Sequence, residues 1–164
     1  MKNPVWFVGL GLKAYDLFPR LLVVLLSVVV PASAELGGDT ASVYRDMERM
    51  HGTVQLRNTQ QYTIFEINGP TGTTVREFVG PDGIVFGIAW EGRFIPEMDQ
   101  VLGTYFDQYS AAVKAVTGRY FGRRHLDMRL PNLVFESNGH MGWYYGRAYI
   151  PESVPKETKL EDIH

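Results

Sequence analysis

The feature that most limits what this chain can become is the ten-residue apolar block at residues 21–30, set between Arg20 and Pro31-Ala32-Ser33-Ala34. A positive flank, a short apolar core, a helix-breaking proline and a small-x-small ending are the parts of a cleavable export signal. Spanning a bilayer as a helix takes about 20 apolar residues, roughly twice what the block offers. An earlier apolar stretch, residues 5–12, does not extend it, because Lys13, Asp16, Pro19 and Arg20 intervene. Cleavage is expected between Ala34 and Glu35, with retention as a membrane anchor as the rival outcome. The chain has no cysteine, so lipid attachment through an N-terminal cysteine is excluded. The expected address is periplasmic or secreted, with no membrane span once the signal is removed.

Removing 1–34 from the 164 residues leaves 130, the size of one domain, read as a single α+β unit over 35–150 and a polar, loosely attached tail over 151–164. Exported domains are the ones permitted disulfides. This one has none to form, so its core alone must hold it. Lys2, Lys13, Arg20 and Asp16 leave with the signal, so 13 basic and 17 acidic residues remain, a net charge of −4 with histidines neutral. That balance argues against a nucleic-acid partner, which calls for a basic patch. Arg119, Arg123, Arg124 and Arg129 cluster, but Asp127 interrupts them, and a solvated loop explains them equally well.

Asp39 is a good helix N-cap, and Val43, Met47 and Met50 recur at helical spacing, which predicts a short helix ending near Gly52. Strand-like segments follow at residues 53–57, 61–68, 73–79 and 84–90. In the last, Ile84, Phe86, Ile88 and Trp90 alternate with the mostly small Val85, Gly87 and Ala89. Residues 97–116 carry apolar side chains at three- and four-residue steps, from Met98 through Tyr105 and Tyr109 to Val116. This predicts one long helix, stopped at Gly118. Further strands are expected at 125–130, 133–136 and 141–150, with Asn138-Gly139 as a hairpin turn in which both residues take positive φ. Small residues on one face of the last strand (Gly142, Gly146, Ala148) suggest that the long helix lies across it. The expected fold is α+β: a mainly antiparallel sheet of five to six strands, one short N-terminal helix and one long helix packed on the sheet.

No catalytic signature stands out. The histidines (His51, His125, His140, His164) have no metal-ligand spacing, and no nucleophile elbow or phosphate loop occurs, so neither metal nor cofactor is expected. Two constellations remain as candidate contacts. Asn138, His140 and Trp143, with Arg147 further along the strand, place an exposed histidine and aromatic surface beside a turn; a turn with a flanking histidine is the plainer explanation. Trp90 and Arg93, in Trp90-Glu91-Gly92-Arg93-Phe94-Ile95-Pro96, combine aromatics with an arginine, as interface hot spots do. Phe94 or Ile95 stapling the start of the helix explains that segment equally well.

Five separated motifs, Glu35-Leu36-Gly37-Gly38-Asp39, Tyr62-Thr63-Ile64-Phe65-Glu66-Ile67, Val75-Arg76-Glu77-Phe78-Val79, Val85-Phe86-Gly87-Ile88-Ala89-Trp90 and Ser137-Asn138-Gly139-His140-Met141, occur in this order. Together they resemble an exported bacterial family known as domain of unknown function 2844, from Glu35 to about Pro151. The resemblance implies export and carries no catalytic residue with it. Two functional readings follow. The preferred one is a non-catalytic accessory domain that binds another envelope protein or a cell-envelope component. It is favoured by the lack of a catalytic motif and by 21 aromatic residues in 164. The alternative is a small-ligand carrier or an enzyme, with a cleft between the long helix and the sheet holding His140 or Arg76 and Glu77.

Overall fold

In the computed structural model, which describes residues 35–117 and 125–164, Asp39 caps the first helix as its position requires. Its Oδ1 accepts from the Ser42 N–H at 2.9 Å, starting α1 (Thr40–Arg49). Val43 is buried, with Met47 and Met50 packed beside it. The His51 N–H donates to Glu48 O at 3.1 Å and the Gly52 N–H to Met47 O at 2.9 Å, paired bonds that close the helix through a left-handed residue. That residue is His51 (φ 50°) rather than a glycine. Glycine is needed one position later, where a Cβ on Gly52 would lie 2.8 Å from Asn68 O. The expected export signal at 1–34, Arg119, Arg123, Arg124 and the expected stop at Gly118 lie outside the described residues.

The sheet has seven strands: β1 (Thr53–Asn58), β2 (Thr63–Asn68), β3 (Thr73–Val79), β4 (Val85–Gly92), β5 (His125–Leu130), β6 (Leu133–His140) and β7 (Trp143–Tyr149). Their order is β1-β2-β3-β4-β7-β6-β5, and all neighbours are antiparallel. The count exceeds the expected five to six: each of the seven strand-like segments found in the sequence forms a strand, with the largely exposed and polar β1 and β5 as the two edges.

One face of the sheet carries the helices over a core that includes Phe65, Ile67, Val75, Ile88, Trp90, Phe135 and Ala148. The long apolar stripe packs there as its periodicity predicts, with Tyr109 against Phe135 at 4.7 Å between ring centroids. It is not one unbroken helix: α2 (Met98–Leu102) and α3 (Phe106–Thr117) are joined by a 3-10 turn at Gly103–Tyr105. Gly103 (φ 48°, ψ −119°) leaves the helical region where the incoming chain presses against it. The Leu36 N–H donates to Val101 O at 3.1 Å, and the Glu35 side chain occupies the place a Gly103 Cβ would take.

Two expectations fail through register. Val79 pairs with Val85 and Phe78 with Gly87, so Phe86 is an extra residue in β4. This bulge puts Phe86 on the face opposite Ile88 and Trp90, although simple alternation assigned all three to one side. The hairpin turn between β6 and β7 is Met141-Gly142 (φ 49° and 77°), the backbone of a type I′ turn, and not Asn138-Gly139. Asn138 pairs with Tyr145 and Gly139 with Tyr144 inside the ladder. This register sets Phe135 opposite Ala148 and Ser137 opposite Gly146, over which Trp90 lies. Gly139 is required for another reason than positive φ, because a Cβ there would meet the Tyr144 ring at 2.7 Å.

The second face holds a smaller core of Ile64, Phe78, Phe86, Ala89, Val134 and Tyr149. Residues 151–164 cover it, and the tail is therefore not loosely attached. Ile163 is fully buried, Val154 packs alongside, and Arg147 Nη1 donates to Leu160 O at 2.5 Å. The polar composition of the tail concealed one apolar anchor. No helix among the described residues is long and apolar enough to cross a membrane.

Candidate functional site

Side chains alternate across a strand, so Arg76 and Glu77 must face opposite sides of β3. Arg76 points to the face away from the helices, where the registers align one row across six strands: Glu66, Arg76, Ala89, Arg147, Glu136 and Asp127. Arg76 Nε donates to Glu66 Oε2 at 2.8 Å, and its Nη2 to Glu91 Oε1 at 2.7 Å. Across Ala89, Arg147 holds Glu136 Oε2 through Nε at 2.8 Å and Nη2 at 2.7 Å, while Arg129 reaches Glu136 Oε1 at 3.3 Å. The hydrogen bond from Arg76 holds the Glu66 carboxyl below its ordinary pKa. These are opposite-charge pairs between neighbouring strands, which fix each other's rotamers.

Above this floor lies an open groove of about 500 Å³, bordered by Trp143, Tyr145 and Asn138 on one side, Arg57 on another and His164 of the tail. Trp143 and Tyr145 are 47% and 50% exposed, unusual for large aromatics on strands. They project from the same face of β7 as Arg147. Asn138 Oδ1 contacts His125 Nδ1 at 2.5 Å.

Four of the residues singled out by sequence therefore border one groove: Asn138, Trp143, Arg147 and Trp90. Trp90 is only 2% exposed and serves mainly the helix-side core, its ring 5.3 Å from Phe135. His140 is exposed beside the turn and lines neither groove described here; Arg93 likewise stands apart. Phe94 and Ile95 are exposed rather than folded against the helix, and they line a second groove with His51, Pro70 and Gln100. Sequence reasoning missed Glu66, Glu91 and Glu136. The available signal was opposite charge at the outward positions of β2, β3, β4, β6 and β7, visible only once the strand order is known.

The space between helices and sheet, expected to hold a cleft under the alternative reading, is filled by the larger core. Glu77 lies there, 1% exposed, beside Asp46 of α1, also 1% exposed, whose Oδ1 accepts from Gln100 Nε2. Burial raises the Asp46 pKa to about 6, against the lowering effect of Gln100, Glu77 and two arginines. Burial, then the Asp46 charge, raises Glu77 well above the carboxylate range. The two acids share a site that favours holding a proton between them. Neither lines either of the two grooves described here, although Gln100, which donates to Asp46, borders the second. No cluster of metal-ligating side chains occurs among the described residues.

Residues 32–163 match the family described as Protein of unknown function (DUF2844), and the chain belongs to that family. No curated protein and no solved structure matches it.

Proposed function

We propose that this chain is an exported, non-catalytic accessory domain that binds a component of the bacterial cell envelope through the groove on the open sheet face. The observation that carries the reading is a pair of half-exposed aromatics, Trp143 and Tyr145, standing over a floor of ion-paired side chains. Rigid, exposed aromatics next to pre-oriented polar groups make a recognition surface. The floor carboxylates Glu66, Glu91 and Glu136 each contact an arginine, which holds their side chains in fixed orientations beneath the aromatics. Export is supported by the signal-like sequence of residues 1–34.

The reading is tested by expressing the full chain in a bacterium and fractionating the cells. Intact mass should show a chain beginning at Glu35. The protein should sediment with the envelope, and Trp143→Ala should release it to the soluble fraction without changing its melting temperature. A cytoplasmic, unprocessed chain would contradict export. A Trp143→Ala protein still fully envelope-bound would contradict the groove as the contact surface.

A further inference from the structure

The charge count of the groove narrows what can occupy it. Its lining holds three arginines (Arg57, Arg76, Arg147) and three glutamates (Glu66, Glu91, Glu136), so it is balanced. An anion seated on Arg76 would face Glu66 and Glu91, each already within 2.8 Å of the guanidinium. A cation seated on Glu136 would meet Arg147 in the same way. A wholly apolar ligand would strip water from the charged floor without replacing its hydrogen bonds.

Hydroxyl groups satisfy both signs, because each donates one hydrogen bond and accepts others. Unused valences are present: among the described residues, Arg76 Nη1, Glu91 Oε2 and the Asn138 amide nitrogen have no hydrogen-bond partner. The aromatic wall supplies the other half of the recognition. Trp143 and Tyr145 are two residues apart on one face of β7, about 7 Å along the strand. Their rings can cover the apolar C–H faces of successive sugar rings. A volume of about 500 Å³ lies within the range of small-molecule sites. We infer that the groove is a saccharide site that takes an uncharged oligosaccharide, its ring faces on Trp143 and Tyr145 and its hydroxyls on Arg76, Glu91 and Asn138. The inference rests on the groove being the contact surface proposed above and identifies what it contacts.

The test is calorimetric titration of the purified full chain with tetrasaccharides of glucose, galactose, mannose and N-acetylglucosamine, with a uronic-acid tetrasaccharide as the charged comparison. Saturable binding of at least one neutral tetrasaccharide is expected, with Trp143 fluorescence changing in parallel. Trp143→Ala and Glu91→Gln should each weaken it by roughly tenfold or more at unchanged melting temperature. Binding of none of the neutral sugars, tighter binding of the uronic-acid chain, or sugar binding untouched by Trp143→Ala would overturn the inference. If no sugar binds while Trp143→Ala still releases the protein from the envelope, the saccharide is wrong and the contact surface stands. If Trp143→Ala leaves envelope association unchanged, the contact surface itself fails.

Discussion

Replacing Asp46 by asparagine should make this protein more stable at pH 8 and leave it nearly unchanged at pH 4. The folded Asp46 carboxyl has its pKa raised from 3.8 to about 6 by burial. Between those values the native state keeps a proton that the unfolded chain has released, so stability falls as pH rises through about 6. Each pKa unit is about 1.4 kcal/mol, so the cost approaches about 3 kcal/mol above pH 7 and nearly vanishes at pH 4. Asparagine is the same size, can still accept from Gln100, and can donate to Glu77 without carrying charge. It also removes the Asp46 charge that helps to hold the Glu77 pKa up. Glu66 shifts in the opposite direction, and its contribution is lost only on acidification, below the ordinary 4.5. It is common to both proteins and cancels in the difference. Urea unfolding at pH 4 and pH 8 reads the effect: the stability of Asp46→Asn minus that of wild type should rise by about 2–3 kcal/mol between the two. A variant destabilised equally at both pH values would show that Asp46 is not a buried, proton-holding acid.

Two further substitutions probe the packing. A Cβ at Gly146 would lie 2.5 Å from Glu136 O and press into the Trp90 ring, so Gly146→Ala should cost about 1–3 kcal/mol in thermal or urea unfolding. An unchanged midpoint would mean that the ring does not rest there. Ile163 is fully buried against the open face, so Ile163→Ala should cost about 2–5 kcal/mol and speed proteolysis of the tail. Wild-type behaviour in both assays would return the tail to a loose appendage.

The strong local signals read correctly from sequence: the Asp39 cap, the Met47 and Met50 stripe and the apolar face from Met98 to Val113 are set by nearest neighbours along the chain. What was illegible is set by partners distant in sequence. Asn138-Gly139 has good turn chemistry, but Tyr144 and Tyr145 capture it as strand, and Met141-Gly142 turns the chain instead. The β4 bulge at Phe86 is invisible without β3 beside it. Ile163 is one apolar residue in a polar tail, too little for a periodic signal. The groove was half legible: Trp143, Arg147 and Asn138 stood out through their types, whereas Glu66, Glu91 and Glu136 mean something only when strands β2, β3, β4, β7 and β6 are laid side by side. Arg76 and Glu77 could have been separated at once, since adjacent residues on a strand face opposite ways.

The contact surface is tested most directly by comparing the two sides of the molecule in one envelope co-sedimentation experiment. Trp143→Ala/Tyr145→Ala strips the open-face groove, and Phe94→Ala strips the most exposed aromatic of the second groove. All three proteins should melt alike, because each altered ring is about half exposed or more. The double variant should move from the envelope pellet to the supernatant, while Phe94→Ala sediments like wild type. The reverse pattern, with Phe94→Ala released and the double variant retained, would contradict the account and place the contact surface on the other groove.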